Sequence, residues 1–252
     1  MARGGEEDGL AIRIAMWSGP RSLSTAMMRA WENRPDTAVV DEPFYACYLV
    51  RSGADHPLRE AVIAAQPTDW RAVVATLTGP VPGGRRILYQ KHMTHHMLSD
   101  VPLDWLKHVR SGFLIRHPRD MAASYARARD VVPTLADLGV ARQAEIFDQV
   151  ADSLGRAPPV VDAEDVLDAP ESVLSALCEA LDVPYDARML HWPPGPRPSD
   201  GVWAEHWYGS VRESTGFGRP GPPSQQPPGL EGVIEAAWPY YQRLSGHRLG
   251  RG

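Results

Sequence analysis

Residues 12–45 read IRIAMWSGPRSLSTAMMRAWENRPDTAVVDEPFY. The stretch begins with an apolar run, passes through a turn containing Gly, Pro, Arg and several hydroxyl residues, and continues with apolar residues at helical spacing. A second apolar run follows and ends in Asp-Glu-Pro. A strand that enters a hydroxyl-rich turn at the start of a helix points backbone N–H groups at an anion. The stretch therefore predicts an anion-binding turn and indicates group transfer from a phosphorylated donor.

Short apolar runs alternate with helical patterns over much of the chain. This alternation predicts an α/β fold with a mostly parallel central sheet and helices on both of its faces. Residues 51–80 predict one or two surface helices, and the Pro- and Gly-rich residues 192–230 predict a long loop region. The predicted strands are Ile12–Trp17, Thr37–Val40, Ile87–Gln90, Gly112–Ile115 and Val160–Val161.

The composition is that of an ordinary soluble protein. The chain has 252 residues, of which 43% are hydrophobic and 23% charged, and its formal net charge is −5. This length fits one domain over residues 1–252, with a flexible N-terminus at 1–10. The negative balance gives no reason to expect nucleic acid or an anionic membrane as a partner.

Neither the cysteines nor the apolar segments indicate export. Cys47 and Cys178 are far apart and lack the spacing of metal ligands or of a disulfide framework. The first nine residues are polar, and the sequence has no run of about 18 apolar residues. We therefore expect a cytoplasmic protein.

The turn at Ser18–Thr25 lacks the Gly-Lys-Ser/Thr end of a Walker A sequence, yet it has similar physical features. Gly19 allows a tight turn, and Arg21 supplies a permanently charged fork for phosphate or sulfate oxygens. The alternative is a plain Gly-Pro turn with a serine helix cap. The candidate donor-binding residues here are Gly19, Pro20, Arg21, Ser22, Leu23, Ser24 and Thr25.

A second candidate anion site lies in residues 112–125, GFLIRHPRDMAASY. Arg116 follows directly on a predicted strand, at the end where ligands collect in open α/β sheets. Ser124 stands eight residues later, about two helical turns along a helix that begins at Pro118. Arg116 and Ser124 are therefore predicted to hold a second phosphate, whereas Arg119 and Asp120 fit a surface network.

These two motifs together resemble the PAPS-dependent sulfotransferase family, whose members are P-loop-like α/β enzymes. Residues 160–186, VVDAEDVLDAPESVLSALCEALDVPYD, also look like a strand, acidic pair and helix of that family. The resemblance covers about residues 12–190, although residues 51–85 contribute little to it. It implies a three-layer sandwich in which the first loop holds the 5′-phosphosulfate of PAPS and the Arg116–Ser124 pair holds its 3′-phosphate.

Asp41-Glu42-Pro43 follows the second predicted strand. In a subset of the family that includes carbohydrate sulfotransferases, a Glu-Pro pair at this place supplies the general base, so the resemblance implies this role for Glu42. A carboxylate can take the proton that the acceptor hydroxyl loses as its oxygen attacks sulfur. The alternative is that Asp41 and Glu42 cap the next helix. We expect Asp41 to be structural.

Lys91 and His92 follow the third strand and resemble the lysine and catalytic histidine of cytosolic sulfotransferases, although those usually have one residue between them. His95 or His96 is an alternative for the histidine. If Glu42 is the base, the resemblance leaves Lys91 to stabilise charge on the leaving oxygen and His92 to position the acceptor. The histidines lack a carboxylate that would complete a metal site, so no metal is expected.

Residues 203–218, WAEHWYGSVRESTGFG, resemble the loop that closes over the nucleotide in sulfotransferases. Arg212, Ser214 and Thr215 are the candidate donor contacts in this loop, and Trp203, Trp207 and Tyr208 are candidate lining residues of the cleft. Exposed aromatic residues packed against a long loop give an alternative explanation of the same pattern.

The predicted reaction is transfer of a sulfuryl group from PAPS to a hydroxyl or amine of a small molecule, with release of PAP. Phe44, Tyr45 and Tyr48 favour an apolar or aromatic acceptor. The alternatives are a nucleotide-dependent kinase, in which Thr37–Asp41 would be a Walker B strand, and a non-catalytic nucleotide-binding module. The sequence leaves the oligomeric state undecided.

Overall fold

The computed structural model describes residues 11–219 and 227–250. The prediction of a flexible N-terminus at residues 1–10 lies outside the described residues, as does the part of the predicted loop region at 220–226.

The predicted parallel sheet is confirmed, and it has the strand order β2-β3-β1-β4-β5. Each neighbouring pair is parallel. The carboxyl ends of β3, β1 and β4 therefore lie side by side in the middle of the sheet, where ligands bind in open α/β folds. The strands are β1 (Ile12–Ser18), β2 (Thr37–Asp41), β3 (Ile87–Met93), β4 (Arg110–Ile115) and β5 (Val160–Asp162).

Helices connect the strands and cover both faces of the sheet. Residues 51–80 contain the end of one helix and two further helices, and the predicted loop region at 192–230 contains two short ones. In chain order the helices are α1 (Ser24–Glu32), α2 (Tyr45–Ser52), α3 (Arg59–Ala65), α4 (Trp70–Thr78), α5 (Pro118–Arg129), α6 (Leu135–Leu138), α7 (Val140–Leu154), α8 (Ala163–Asp168), α9 (Pro170–Ala180), α10 (Ala204–Trp207), α11 (Gly209–Glu213) and α12 (Glu231–Ser245).

The alternation of side chains along β1 divides the core into two layers. Ile14 and Met16 point to the face that packs against α1, α8 and α9. Ala15 and Trp17 point to the opposite face, which packs against α4, α7 and α12. All four side chains are fully buried, as expected for a strand at the centre of a covered parallel sheet. The three-layer sandwich is thus confirmed. Within the residues that the structure describes, no helix is both long and apolar enough to cross a bilayer.

Candidate active site

A cavity of about 330 Å³ opens at the carboxyl ends of the central strands. One end of it is formed by residues 20–26 and Arg116, and Glu42 and Lys91 lie in its wall. The other end is formed by side chains from α2, the segment between α2 and α3, α5, the segment after β3 and the C-terminal loop (residues 203–218). These include Tyr45, His56, His95, His96, Tyr125, Arg129, Trp207 and Tyr208.

The turn between β1 and α1 leaves backbone N–H groups at the start of α1 without a side-chain cap. Arg21 and Leu23 have positive φ angles of 60° and 68°, which turn the chain sharply before the helix begins at Ser24. Leu23 occupies the N-cap position, where it makes no side-chain hydrogen bond. Free helix N-terminal N–H groups and the positive end of the helix dipole favour an anion at this point.

Gly19 is required by packing. A Cβ at this position would lie 2.5 Å from the backbone carbonyl oxygen of Leu138 and 3.2 Å from the Met121 side chain. The turn therefore sits directly against the segment that precedes α7, and a backbone oxygen cannot move aside as a flexible side chain can.

We expect Gly19→Ala to lower the free energy of unfolding by about 1–3 kcal/mol, the usual cost of overpacking. Urea denaturation would measure this loss. Gly232→Ala is a matched control, because a Cβ at Gly232 in α12 meets nothing within 4 Å. Equal stability of the Gly19→Ala variant and the wild-type protein would contradict the packing argument.

The structure brings the two predicted anion motifs together. Arg21 Nε donates a hydrogen bond of 3.1 Å to Ser124 Oγ, and Arg116 Nη1 donates one of 2.6 Å to the carbonyl oxygen of Arg21. Arg21 and Arg116 thus lie together at one end of the cavity although they are far apart in sequence, and Ser124 contacts Arg21 without lining the cavity itself.

This end of the cavity holds two arginines, Arg21 and Arg116. In residues 11–219 and 227–250, neither Arg21 nor Arg116 forms an ion pair with a carboxylate, in contrast to arginines such as Arg142, which pairs with Glu145 at 2.9 Å. Desolvation in the cavity, together with repulsion from Arg116 and Arg127, lowers the pKa of Arg21. Desolvation also lowers the pKa of Arg116. Unpaired guanidinium groups held close together would be stabilised by a bound polyanion.

Glu42 and Lys91 belong to a buried hydrogen-bond network. Lys91 Nζ donates to Asp41 Oδ1 at 2.9 Å, to Glu42 Oε1 at 2.7 Å and to Tyr208 OH at 2.6 Å. Tyr208 OH in turn donates to Asp41 Oδ2 at 2.6 Å and accepts from Trp203 Nε1 at 3.1 Å. An ammonium group has three N–H donors, so the network uses all the donors of Lys91.

The network therefore favours a different role for Lys91 from the one that the resemblance implied, which was to stabilise charge on the leaving oxygen. In this arrangement Lys91 holds Asp41 and Glu42 in place and has no N–H left for a donor oxygen. Both oxygens of Asp41 are engaged as well, which favours the structural role predicted for Asp41 over a metal-binding Walker B role.

The Glu42 side chain reaches the cavity because the backbone turns at this residue. Glu42 has a φ angle of 41°, and its N–H donates to the Lys91 carbonyl oxygen at 3.0 Å. Gln66 Nε2 donates to the carbonyl oxygen of Glu42 at 3.2 Å. A positive φ at a residue other than glycine is costly and is often found at functional sites.

Burial and the neighbouring charges determine the ionisation of Glu42. Burial raises the pKa of the Glu42 carboxyl, and Asp41 adds to the rise while Lys91 opposes it. Burial alone would lower the pKa of Lys91, but Asp41 and Glu42 outweigh it and raise that pKa well above its ordinary value. Two carboxylates thus share one ammonium group, and Glu42 is a carboxylate with increased basicity.

His92 is not brought to the cavity. It follows Lys91 on β3 and therefore points to the other face of the sheet, where its ring stacks on Trp17 at a centroid distance of 4.3 Å. Its Nε2 lies 3.2 Å from Gln90 Oε1, and burial lowers its pKa to about 3. Phe44 also lies in this layer of the core.

His95 and His96, the alternatives to His92, do line the cavity. The His96 ring stacks between Tyr45, at 4.2 Å, and Tyr48, at 5.0 Å, and its Nδ1 lies 3.8 Å from Glu42 Oε2. Burial lowers the pKa of His95 to about 3 and that of His96 well below its ordinary value, so both rings are neutral near pH 7. Among the described residues, no group of three or more potential ligands is arranged to hold a metal ion.

The C-terminal loop contributes to the cavity only in part. Ser214 lines it, but its Oγ already donates to the Val211 carbonyl oxygen at 2.7 Å and accepts from Trp192 Nε1 at 3.1 Å. Arg212 and Thr215 are not among the cavity-lining residues. Trp207 and Tyr208 do line it, as predicted for the cleft, whereas Trp203 lies behind Tyr208.

His56 and Arg129 are among the cavity residues that had no assigned role in the sequence analysis. His56 lies between α2 and α3, and its Nδ1 is 2.9 Å from Tyr45 OH. Arg129 is the last residue of α5 and lines the cavity beside Trp207. No local motif marks either residue, because both reach the site through the packing of helices that are distant in sequence.

Comparison with known proteins identifies the family. A model of the family described as "Sulfotransferase domain" matches residues 12–247 of the chain. The chain belongs to the sulfotransferase domain family. This membership supports sulfuryl transfer as the class of reaction and favours it over the kinase alternative.

Solved sulfotransferases share the fold. The sulfotransferase domain from the curacin biosynthetic pathway has a TM-score of 0.53 and 15% identity, with 94% of this chain and 98% of that chain covered. The sulfotransferase from Alicyclobacillus acidocaldarius has a TM-score of 0.55 and 16% identity, with 95% and 97% covered.

Curated relatives of higher identity are longer proteins. Branched-chain-amino-acid aminotransferase-like proteins 1 and 2 of Arabidopsis thaliana are 36% and 32% identical to this chain over 235 residues. The alignments cover 93% of this chain but 42% and 41% of those proteins, so the chain spans about two fifths of their length.

Proposed function

We propose that this sulfotransferase transfers a sulfuryl group from PAPS to a hydroxyl or amine of a small molecule and releases PAP. The observation that carries the proposal is the single cavity that joins a positive end, at Arg21 and Arg116, to the buried carboxylate of Glu42. One end suits a nucleotide with two phosphate groups, and the other supplies a base for the acceptor.

The donor would lie across the turn and the Arg116–Ser124 pair. The 5′-phosphosulfate would meet the N–H groups at the start of α1, the hydroxyl residues of the turn and Arg21. Arg116 and Ser124 would hold the 3′-phosphate, and this contact would distinguish PAPS from ATP. Arg116 and Ser124 both contact Arg21, so the two proposed phosphate sites would be adjacent.

The reaction needs positioning and charge stabilisation. The acceptor oxygen or nitrogen attacks sulfur as the bond from sulfur to the bridging oxygen of the 5′-phosphate breaks, and the electron pair of that bond leaves with PAP. Glu42 takes the proton of the acceptor, and Arg21 stabilises the charge on the leaving oxygen. Lys91 and Tyr208 hold Glu42 and Asp41 in place.

Thermal stabilisation separates this proposal from the kinase alternative. PAP without magnesium should raise the melting temperature, whereas a kinase would respond to Mg-ATP and not to PAP. Absence of any shift with PAP would contradict the assignment of the donor.

Arg116→Met should weaken PAP binding about 10- to 100-fold, because a hydrogen bond to a charged group contributes about 1.5–3 kcal/mol. Binding of adenosine 5′-phosphate, which lacks the 3′-phosphate, should change much less. Isothermal titration calorimetry with both nucleotides would measure the two effects. Arg119→Met is the control, because Arg119 is an exposed arginine in the first turn of α5, three residues after Arg116. An equal loss of affinity for both nucleotides would show that Arg116 does not bind the 3′-phosphate.

A further inference from the structure

The half of the cavity beyond Glu42 has walls of neutral rings. Tyr45, His56, His95, His96 and Trp207 all line it. Burial lowers the pKa of His56 to about 4, and the two other histidines are also neutral near pH 7. Rings of this kind offer flat surfaces without net charge, which suits a compact organic acceptor.

The place of the reacting hydroxyl within this half is marked by two atoms. Glu42 Oε1 accepts from Lys91, whereas Glu42 Oε2 faces His96 Nδ1 at 3.8 Å, beyond hydrogen-bond distance. His96 Nδ1 is buried and has no hydrogen-bond partner among the described residues, and the same is true of His95 Nδ1. Buried polar atoms are nearly always satisfied in folded proteins, so these nitrogens indicate that a ligand group completes them.

Arg129 is the cation in this half of the cavity that no carboxylate balances. Its Nη2 donates to the backbone carbonyl oxygen of Asp55 at 3.1 Å, and its Cζ lies 5.8 Å from the centroid of the Trp207 ring. Within the described ranges, Arg129 takes part in no ion pair, whereas Lys91 is neutralised by Asp41 and Glu42. A guanidinium group has five N–H donors, so Arg129 retains donors for a ligand.

We propose, on the basis of the sulfotransferase function proposed above, that the acceptor is a hydroxyl compound that carries a carboxylate, and that Arg129 binds this carboxylate. The hydroxyl lies next to Glu42 Oε2 and His96 Nδ1, and the body of the molecule packs against the rings. The carboxylate accepts hydrogen bonds from the guanidinium group of Arg129. The planar fork matches a carboxylate through paired hydrogen bonds. The same charge disfavours an acceptor with an ammonium group.

Binding to the complex with PAP tests this proposal without turnover. The probes are 3-(4-hydroxyphenyl)propanoate, its uncharged amide, and tyramine, each titrated by calorimetry into protein saturated with PAP. We expect the acid to bind at least about 10-fold more tightly than the amide, the effect of one hydrogen-bonded charge, and tyramine to bind most weakly. Arg129→Met should abolish the preference for the acid, and Arg119→Met on the same helix should retain it.

Two results would overturn the inference. If the wild-type protein binds the acid no more tightly than the amide, the acceptor site does not recognise a carboxylate. If the preference survives in Arg129→Met, another cation such as Arg21 holds the acid. If circular dichroism shows that Arg129→Met is unfolded, Arg129→Lys serves instead, since it loses the planar fork and should bind the acid less tightly. The titration with PAP alone tests the proposed donor separately. If PAP does not bind, the affinities of the acid and the amide for the free protein still show whether Arg129 binds a carboxylate.

Discussion

Glu42→Gln should reduce kcat by about 10²- to 10⁴-fold, the usual contribution of a general base. The amide is nearly isosteric with the carboxylate but cannot accept the proton of the acceptor. The affinity for PAP should be kept or improve slightly, because a neutral side chain repels the phosphates less than a carboxylate does. Transfer of radiolabelled sulfate from PAPS and calorimetry with PAP would measure the two quantities.

The pH dependence of kcat/KM gives a second test of the same role. Glu42 must be ionised to act as a base, so activity should fall as the pH drops through its pKa. Because burial raises this pKa, the acid limb should lie above the range of an ordinary glutamate. Glu42→Gln should lose this limb, whereas Glu235→Gln, an exposed control on α12, should keep it. An unchanged acid limb in Glu42→Gln would assign the base to another residue.

The sequence was sufficient to predict which strand ends carry the site residues and that these ends lie at one edge of the sheet. Apolar runs located all five strands, and a parallel sheet places the ends of its strands at one edge. Arg21 and Arg116 follow β1 and β4, which are neighbours, so the contact between their segments follows from topology alone.

Buried polar residues explain where the strand prediction stopped too early. The predicted third strand ends at Gln90, but β3 continues to Met93. Lys91 and His92 are polar yet fully buried, the first in an ionic network and the second in a ring stack. An apolar pattern cannot show such residues as interior. The period of two along a strand does imply that only one of the two residues can face the cavity.

The parts of the site that depend on distant packing could not be predicted. Tyr208 comes from the Pro- and Gly-rich region, and its hydroxyl joins Lys91 to Asp41 across more than a hundred residues. The helix α12, which packs on α5 and α7, contains Pro239 and therefore does not present an uninterrupted helical pattern. In both cases tertiary contacts decide the structure, and local sequence carries little of the information.

Lys91→Met should lower the free energy of unfolding by about 3–5 kcal/mol, the cost of removing one partner from a buried ion pair. The side chains of Lys91 and Asp41 are each 2% exposed and that of Glu42 is 11% exposed, so water cannot replace the lost ammonium group. For a domain of this size, the melting temperature should fall by about 6–20 °C. Lys107→Met is the control, because Lys107 is exposed and is the second of the two lysines in the chain.

The pH dependence of the stability lost in Lys91→Met shows whether Lys91 stabilises the fold by its charge or by its packing. Without Lys91, folding must bury Glu42 beside Asp41 with no cation, so the protonated form of Glu42 is favoured in the folded protein. A carboxyl group with a raised pKa in the folded state stabilises the fold at low pH and loses this effect as the pH rises through that pKa. Denaturation at pH 5 and pH 8 should therefore show a larger difference between Lys91→Met and the wild-type protein at pH 8. A loss of equal size at both pH values would mean that Lys91 stabilises the site by packing and not by charge.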